Sequence, residues 1–139
     1  MPKGSVAHAT IWFDGACLGN PGPMGAGVVV ECGGKRRTLA KPLGNGTNNR
    51  AEYEAAIAGL ALALAMGAKS ATLHGDSQLI LRQLGGEYKV KDAKLKALHD
   101  QARALMAELG QVKLGWVPRE QNVEADALSK EAAEGRVAR

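Results

Sequence analysis

The sequence is poor in cysteine and aromatic residues, and it contains no long hydrophobic run. Only two of its 139 residues are cysteines, Cys17 and Cys32. Two thiols are too few for a disulfide framework or a cysteine-based zinc cluster, so we expect both to be reduced. No apolar segment reaches the roughly 18 residues that a membrane span requires, and the first residues lack the apolar core of a signal peptide. We therefore expect a cytoplasmic protein that does not associate with membranes.

Length and charge limit the remaining possibilities. A chain of 139 residues suits one domain, predicted over 1–139, and a chain of this size buries roughly two-thirds of its unfolded surface. The net charge of +4 permits a polyanionic partner without requiring one. Short basic runs at "GGKRRTLAK" and "YKVKDAKLK" favour such a partner, although solvated strand and helix faces explain them equally well.

Local patterns predict five strands and four helices in the order β-β-β-α-β-α-α-β-α. Strands are expected at "HATIWF", ending at Asp14, and at "AGVVVEC", "KRRTLAK", "KSATLHG" and "QVKLGWV". Helices are expected at about Arg50 to Met66, "SQLILRQLGG", "AKLKALHDQARALMAEL" and "NVEADALSKEAAEG". The loops are predicted at "DGACLGNPGPMG" and "PLGNGTNN", and the tail "RVAR" is expected to fray. A hairpin followed by alternating elements predicts an α/β fold, with helices packed on a mixed sheet.

Four acidic residues stand at the junctions between these elements. Asp14 follows the first predicted strand, Glu52 lies near the start of the long helix, Asp76 follows the fourth strand, and Asp126 lies in the first turn of the last helix. Sites in layered α/β folds gather where strands end and helices begin. Each acid also has an ordinary structural explanation, in an Asp-Gly turn, a helix cap or a favourable helix dipole.

If the four carboxylates converge, they require a cation, because clustered carboxylates raise one another's pKa. Mg²⁺ accepts a few carboxylates while keeping room for phosphate oxygens. Two such ions about 4 Å apart form a site that cleaves phosphodiesters. The three histidines, His8, His74 and His99, are scattered and form no zinc ligand set. We expect His74 to be a structural histidine with satisfied hydrogen bonds.

Four motifs that surround these acids closely resemble type 1 ribonuclease H. They are "FDGACLGNPGPMGAGVVV", "TNNRAEYEAAIAGLALA", "HGDSQLILRQL" and "NVEADALSKEA", and they run from about Thr10 to Ala133. The resemblance implies a five-stranded mixed sheet whose first three strands are antiparallel. It also implies hydrolysis of the RNA strand of RNA–DNA hybrids, leaving 5′-phosphate and 3′-hydroxyl ends. By the same resemblance, two Mg²⁺ or Mn²⁺ ions are bound by Asp14, Glu52, Asp76 and Asp126.

The resemblance further implies substrate contacts, with Glu52 touching the RNA 2′-hydroxyl. Hybrids are read through shape, backbone and the 2′-hydroxyl rather than through base edges. Six other positions are implied to lie along the substrate: Gly15 and Cys17 on the rim, Asn20, Asn48 and Gln78 in the minor groove, and Thr47 at a DNA-phosphate pocket. Hydrogen bonding within the loops is the alternative for each of them.

Small residues behind Glu52 are expected to bring its helix close to the sheet. Ala56, Gly59 and Ala63 form one row at helical spacing, and close approach would carry Glu52 towards Asp14. A separate row that begins at Tyr53 is expected to supply apolar core.

The sequence departs from many relatives in the segment before the last aspartate. Those relatives carry a Gly/His loop whose histidine assists proton transfer or product release, whereas "WVPREQNVEAD" is shorter and has no histidine. Arg119 cannot act as a general base, since its pKa lies above about 12, but it can grip a phosphate. We therefore expect Arg119 to take part in catalysis and to matter more than Glu120.

A second departure is the missing basic protrusion, a helix and loop rich in Lys and Trp. Its place is taken by a short segment with Lys89, Lys91, Lys94, Lys96 and the single aromatic residue Tyr88. We expect weak and strongly salt-dependent binding of hybrid, because phosphate contacts release counterions. A solvated helix start is the alternative explanation for these lysines.

Two other functions remain open from the sequence. One is a related ribonuclease H-like nuclease, and the other is a non-catalytic module that binds RNA–DNA hybrids. The second predicts the loss of at least one acid, and all four are present. Compact relatives without the histidine loop also cut double-stranded RNA, so we keep that as a possible side activity. We expect a monomer, as is usual in the family.

Overall fold

Five strands form one mixed sheet in the computed structural model, which describes residues 7–135. In chain order the strands are β1 (His8–Cys17), β2 (Gly22–Cys32), β3 (Lys35–Gly46), β4 (Ser70–Gly75) and β5 (Gln111–Trp116). They lie side by side in the order β3-β2-β1-β4-β5. The first three are antiparallel, β4 is parallel to β1, and β5 is parallel to β4. The predicted mixed sheet is confirmed, whereas the tail "RVAR" lies outside the described residues.

Four α-helices and one 3₁₀ turn complete the described part of the chain. They are α1 (Asn48–Ala65), α2 (Gln78–Leu84), α3 (Ala93–Leu109), the 3₁₀ turn Arg119–Gln121 and α4 (Val123–Ala133). The side chains of Thr47, Ser77 and Asp92 accept hydrogen bonds from backbone N–H groups and so cap the first three helices. Within residues 7–135, no helix combines the length and apolar character needed to cross a membrane.

Two strands extend further than their local sequence predicts. The prediction that β1 ends at Asp14 is wrong. Pairing with β2 continues from Asp14 opposite Gly27 to Cys17 opposite Met24. Pairing with β2 likewise draws the predicted loop "PLGNG" into β3, which ends only at Gly46. Hydrogen bonding to a neighbouring strand therefore overrides the turn tendency of these glycine- and proline-rich segments.

The apolar core lies between the sheet and α1. Ile11 and Val28 point from β1 and β2 towards this helix and are fully buried. A Cβ atom added to Gly59 would lie 2.7 Å from Cγ2 of Ile11, and Ala56 and Ala63 are also fully buried. The predicted close approach of α1 to the sheet is thus confirmed. Helix α3 packs against α1 from the outside.

Helix α4 covers the opposite face of the sheet, over β1, β2 and β3. Gly27 faces this helix, since neighbouring residues of a strand point to opposite sides and Val28 faces α1. A Cβ atom at Gly27 would lie 2.1 Å from the carbonyl oxygen of Ala125, and one at Gly25 would lie 2.3 Å from that of Ser129. The backbone of α4 therefore rests directly on the backbone of β2.

Candidate active site

Three carboxylates meet where β1, β4 and α1 come together. Asp14 lies in β1, Asp76 follows β4, and Glu52 lies in the second turn of α1. Because β1 and β4 are parallel neighbours, with Trp12 opposite His74, the two aspartates reach the same edge of the sheet. One carboxylate oxygen from each of Asp14, Glu52 and Asp76 lies within 4.8 Å of the other two.

Gly15 explains how Glu52 reaches this cluster. A Cβ atom at Gly15 would lie 2.3 Å from the carbonyl carbon of Ala51, so α1 crosses β1 in backbone contact. The N–H of Gly15 donates a hydrogen bond of 3.1 Å to Oε1 of Glu52. Gly15, which was predicted on the substrate rim, therefore also packs the helix and orients its acid.

The fourth acid, Asp126, lies beside the cluster rather than within it. Its carboxyl lies close enough to Asp14 to raise the pKa of that acid, although less than burial does. The ammonium group of Lys130, one helical turn further along, lies 3.2 Å from Oδ2 of Asp126. Asp126 is thus partly neutralised, whereas no Lys, Arg or His of residues 7–135 forms an ion pair with the three clustered acids.

Burial and mutual repulsion favour the protonated form of two of these acids. Burial raises the pKa of Asp14 to about 7; a hydrogen bond from Ser129 opposes this rise and the charge of Asp76 adds to it. The pKa of Glu52 is raised well above its usual value, first by burial and then by the charge of Asp14. The hydrogen bond from Gly15 and the positive charge of Arg119 act in the opposite direction.

This cluster has the chemistry of a divalent metal site. It offers only carboxylate oxygens, the ligands that Mg²⁺ and Mn²⁺ prefer. Oxygens within 4.8 Å of one another can share a cation. The pKa values of Asp14 and Glu52 are raised first by burial and then by repulsion between the acids, and no Lys, Arg or His of residues 7–135 forms an ion pair with them as a compensating positive charge. A bound cation would supply that charge, so the residues fit the metal that the sequence predicts.

Arg119 lies in the 3₁₀ turn and acts on the cluster through its charge. Its side chain is exposed, and its positive charge slightly opposes the rise in the pKa of Glu52. Glu120 is exposed in the same turn and makes no side-chain hydrogen bond or ion pair with any described residue. Of these two neighbours only Arg119 acts on the charge of a clustered acid, and the expected difference between them in catalysis stays a prediction.

Several predicted substrate residues gather around one cavity of about 730 Å³. Asn20, Thr47 and Asn48 line it together with Arg50 and Lys94. The side-chain oxygen of Asn20 accepts a hydrogen bond of 2.9 Å from the N–H of Asn48, which joins the β1–β2 turn to the start of α1. The other walls include the acid Asp92 and the apolar Leu95, so the cavity is mainly polar, with two cationic side chains and one acidic one.

Cys17 and Gln78 lie apart from this cavity. The thiol of Cys17 is half-buried and donates to the carbonyl oxygen of Gly46 at 3.1 Å, joining the ends of β1 and β3. Gln78 is exposed at the start of α2 and lines a second cavity, of about 360 Å³, with Arg82 and Trp116. The predicted substrate residues are thus divided among separate places around the acids.

Two further residues support the site, and sequence reasoning missed both. Ser129 donates a hydrogen bond of 2.8 Å to Oδ2 of Asp14, and the side-chain nitrogen of Asn122 donates one of 2.9 Å to the carbonyl oxygen of Phe13. Ser129 follows Asp126 by three residues, a spacing that shares one helix face and could have drawn attention to it. Asn122 resembles a helix cap in the sequence but makes no capping bond with its side chain.

His74 differs from its prediction in one respect. It lies in β4 as expected, and its ring centroid is 5.5 Å from that of Trp12. Its Nδ1 atom, however, is buried without a hydrogen-bond partner, so the expectation of a fully satisfied histidine is wrong. Burial lowers the pKa of His74, which favours the neutral ring.

The sequence and the fold agree on the family. Residues 12–132 match the family described as reverse transcriptase-like. A bifunctional protein of Mycobacterium tuberculosis is 42% identical over 122 residues, which are 86% of this chain and 34% of that protein. The chain therefore spans about a third of that relative's length.

Two solved structures carry the same fold over nearly their whole length. Ribonuclease H1 of Halobacterium salinarum is 39% identical, with a TM-score of 0.86 over 94% of this chain and 99% of that chain. LC11 ribonuclease H1, solved in complex with an RNA/DNA hybrid, is 35% identical, with a TM-score of 0.85 and the same coverage. The chain therefore belongs to the type 1 ribonuclease H family.

Proposed function

We propose that this protein is an endoribonuclease that hydrolyses the RNA strand of RNA–DNA hybrids with the help of divalent metal ions. The observation that carries the proposal is the cluster of Asp14, Glu52 and Asp76, whose carboxylate oxygens lie within 4.8 Å of one another. Membership of the ribonuclease H family and the similarity to an enzyme solved with an RNA/DNA hybrid support the choice of substrate.

In this proposal Asp14, Glu52, Asp76 and Asp126 hold two Mg²⁺ or Mn²⁺ ions. These residues would hold the ions, which would supply an activated water and stabilisation of the leaving oxygen. Breaking the bond between phosphorus and the 3′-oxygen would leave 5′-phosphate and 3′-hydroxyl ends. The hydrogen bond from Gly15 orients Glu52 before substrate arrives. Arg119 binds a phosphate near the cleaved bond, since its positive charge acts on Glu52 and its guanidinium has no carboxylate partner in residues 7–135.

The substrate lies across the acids in this proposal, with its DNA strand reaching the larger cavity. Thr47 and Lys94 there present a hydroxyl and an ammonium group to a DNA phosphate, whereas Arg50 forms an ion pair of 3.7 Å with Glu54. Asn20 and Asn48 reach the minor groove, and Glu52 contacts the RNA 2′-hydroxyl.

Three residues are proposed to complete this substrate path. They are Gly15, Cys17 and Gln78. The proposed enzyme is a cytoplasmic monomer, and double-stranded RNA is a candidate second substrate.

The test is cleavage of a hybrid labelled on its RNA strand, with Mg²⁺, with Mn²⁺ and with chelator. We expect cleavage only with metal, and products that carry 3′-hydroxyl ends. Asp14→Asn and Asp76→Asn should each reduce the rate by more than about 100-fold, beyond the loss typical of a residue that only supports a metal ligand. Glu108→Gln, at an exposed acid of α3, is the matched control and should cleave like the unchanged protein.

The same assay separates the rival functions. A binding module would retain hybrid binding and show no metal-dependent cleavage, and a related nuclease would prefer double-stranded RNA or branched DNA supplied in parallel. Full activity of Asp76→Asn would contradict the proposed role of the cluster.

A further inference from the structure

Ser129 makes a contact with Asp14 that water cannot replace. The serine is fully buried in α4, and its hydroxyl oxygen lies 2.8 Å from Oδ2 of Asp14. Asp14 itself is only 6% exposed. The hydroxyl therefore reaches the acid from inside the protein, on a side that substrate cannot approach.

The same hydroxyl has a second acceptor, the carbonyl oxygen of Asp126, also at 2.8 Å. A hydroxyl carries one hydrogen and donates to one acceptor at a time. Serines inside helices commonly donate to a carbonyl of the preceding turn, but a bond to a charged carboxylate is roughly twice as strong as a neutral one. The Ser129 hydroxyl therefore donates to Asp14 when that acid is charged, and it donates to the carbonyl oxygen of Asp126 otherwise.

A glycine in β2 allows Ser129 to approach Asp14. Gly27 of β2 lies directly opposite Asp14 in the antiparallel pair. A Cβ atom at Gly27 would lie 2.5 Å from the backbone nitrogen of Ser129, so no side chain separates the helix from the sheet. At this short distance the small side chain of serine spans the whole gap to the carboxylate.

We propose that Ser129 is a positioning residue that fixes the carboxylate of Asp14 in the orientation that binds metal. A carboxylate can rotate about its Cβ–Cγ bond, and a hydrogen bond to Oδ2 stops that rotation. Partners that orient metal ligands typically account for 10- to 100-fold in metal affinity or activity. The inference rests on the proposed function, because it requires that Asp14 binds a divalent cation.

The experiment compares Ser129→Ala with the unchanged protein in two Mg²⁺ titrations. One follows the rise in thermal unfolding temperature without substrate, and the other follows the rate of hybrid cleavage. We expect both Mg²⁺ midpoints to increase about tenfold, while the KM for hybrid at saturating Mg²⁺ stays unchanged because Ser129 is buried. Ser129→Cys, which keeps a weak donor, should give intermediate midpoints.

Tyr53→Phe is the matched control, since it also removes a buried hydroxyl, one that donates to Oε1 of Gln83 at 2.5 Å. It should change the stability and leave both Mg²⁺ midpoints unchanged. If Ser129→Ala also leaves the midpoints unchanged while the unchanged protein binds Mg²⁺ and cleaves hybrid, the positioning role is wrong and the proposed function stands.

Two other outcomes separate the inference from the function on which it rests. If Mg²⁺ stabilises Ser129→Ala less strongly than it stabilises the unchanged protein, but neither protein cleaves hybrid, the positioning role stands and the proposed reaction is wrong. If Mg²⁺ does not stabilise the unchanged protein at all, both are wrong.

Discussion

Helices α1 and α4 bring acids to the same edge of the sheet from opposite faces, but they pack in different ways. Helix α1 meets the backbone of β1 at Gly15, but further along it rests on side chains, as Gly59 does on Ile11. The contact of α4 is backbone on backbone at Gly27, and its buried face is polar where Ser129 meets Asp14. An apolar contact adapts to small shifts, whereas a polar contact at hydrogen-bond distance does not. We conclude that α1 supplies most of the core and that α4 sets the geometry of Asp14.

The largest expected effect comes from adding a methyl group at Gly27 or at Gly59, where the helices touch the sheet. Gly27→Ala should lower the free energy of unfolding by about 3 kcal/mol or more, because its new methyl group meets backbone atoms that cannot move separately. Gly59→Ala should cost less, about 1 kcal/mol, since it meets the side-chain atom Cγ2 of Ile11 rather than backbone and gains helix propensity. Urea denaturation of both variants measures the difference. Equal losses would show that the two helices do not pack differently.

The second effect concerns the charge of Asp14 in the metal-free protein. Because the pKa of Asp14 rises from 3.8 to about 7 on folding, its contribution to stability is full below pH 4 and is lost as the pH rises through 7. Asp14→Asn removes this loss, so in chelator at pH 8 the free energy of unfolding of the variant should exceed that of the unchanged protein by on the order of 2–4 kcal/mol. At pH 4 the difference should nearly vanish. Thermal unfolding across this range, repeated with Mg²⁺, would contradict the account if the difference did not depend on pH.

The third effect separates the two neighbours in the 3₁₀ turn. Arg119→Ala should lower kcat for hybrid cleavage about tenfold, the effect of losing one hydrogen bond between charged groups. Glu120→Ala should change kcat less than about twofold, as is usual for a surface residue without partners. Steady-state kinetics on the labelled hybrid compares them. Equal, near-normal rates for both variants would remove Arg119 from the proposed mechanism.

The smallest effect distinguishes two lysines near the start of α3. Lys94 lines the cavity with Thr47, whereas the ammonium group of Lys96 lies 2.7 Å from Oδ1 of Asp100. Lys94→Ala should therefore reduce the slope of log affinity against log salt by about one. Lys96→Ala should leave it nearly unchanged. Binding of hybrid at several salt concentrations, measured with chelator present, tests this, and equal slopes for both variants would contradict it.

The sequence predicts α1 and its acid well because their signals are local. Periodicity locates the helix, and the row of Ala56, Gly59 and Ala63 predicts its close approach to the sheet. The motifs around Asp14 and Asp76 predict a shared edge, which the parallel pairing of β1 with β4 confirms. These features depend on spacing within one element or on the order of elements along the chain.

The polar side of the site could not be predicted in the same way. The contact of Ser129 with Asp14 joins residues 115 positions apart and exists only because Gly27 lets α4 reach the sheet. The end of β1 was also predicted too early, because hydrogen bonds from β2 extend the strand through a segment with turn chemistry. Both features depend on pairing between distant elements, and no local pattern records that pairing.

Anomalous scattering from crystals grown with Mn²⁺ tests the central claim most directly, because it locates bound metal without relying on activity. We expect strong anomalous peaks beside the carboxylates of Asp14, Glu52 and Asp76, and none in crystals of Asp14→Asn. Crystals without a peak at these three side chains, or with ordered Mn²⁺ only elsewhere on the surface, would contradict the account.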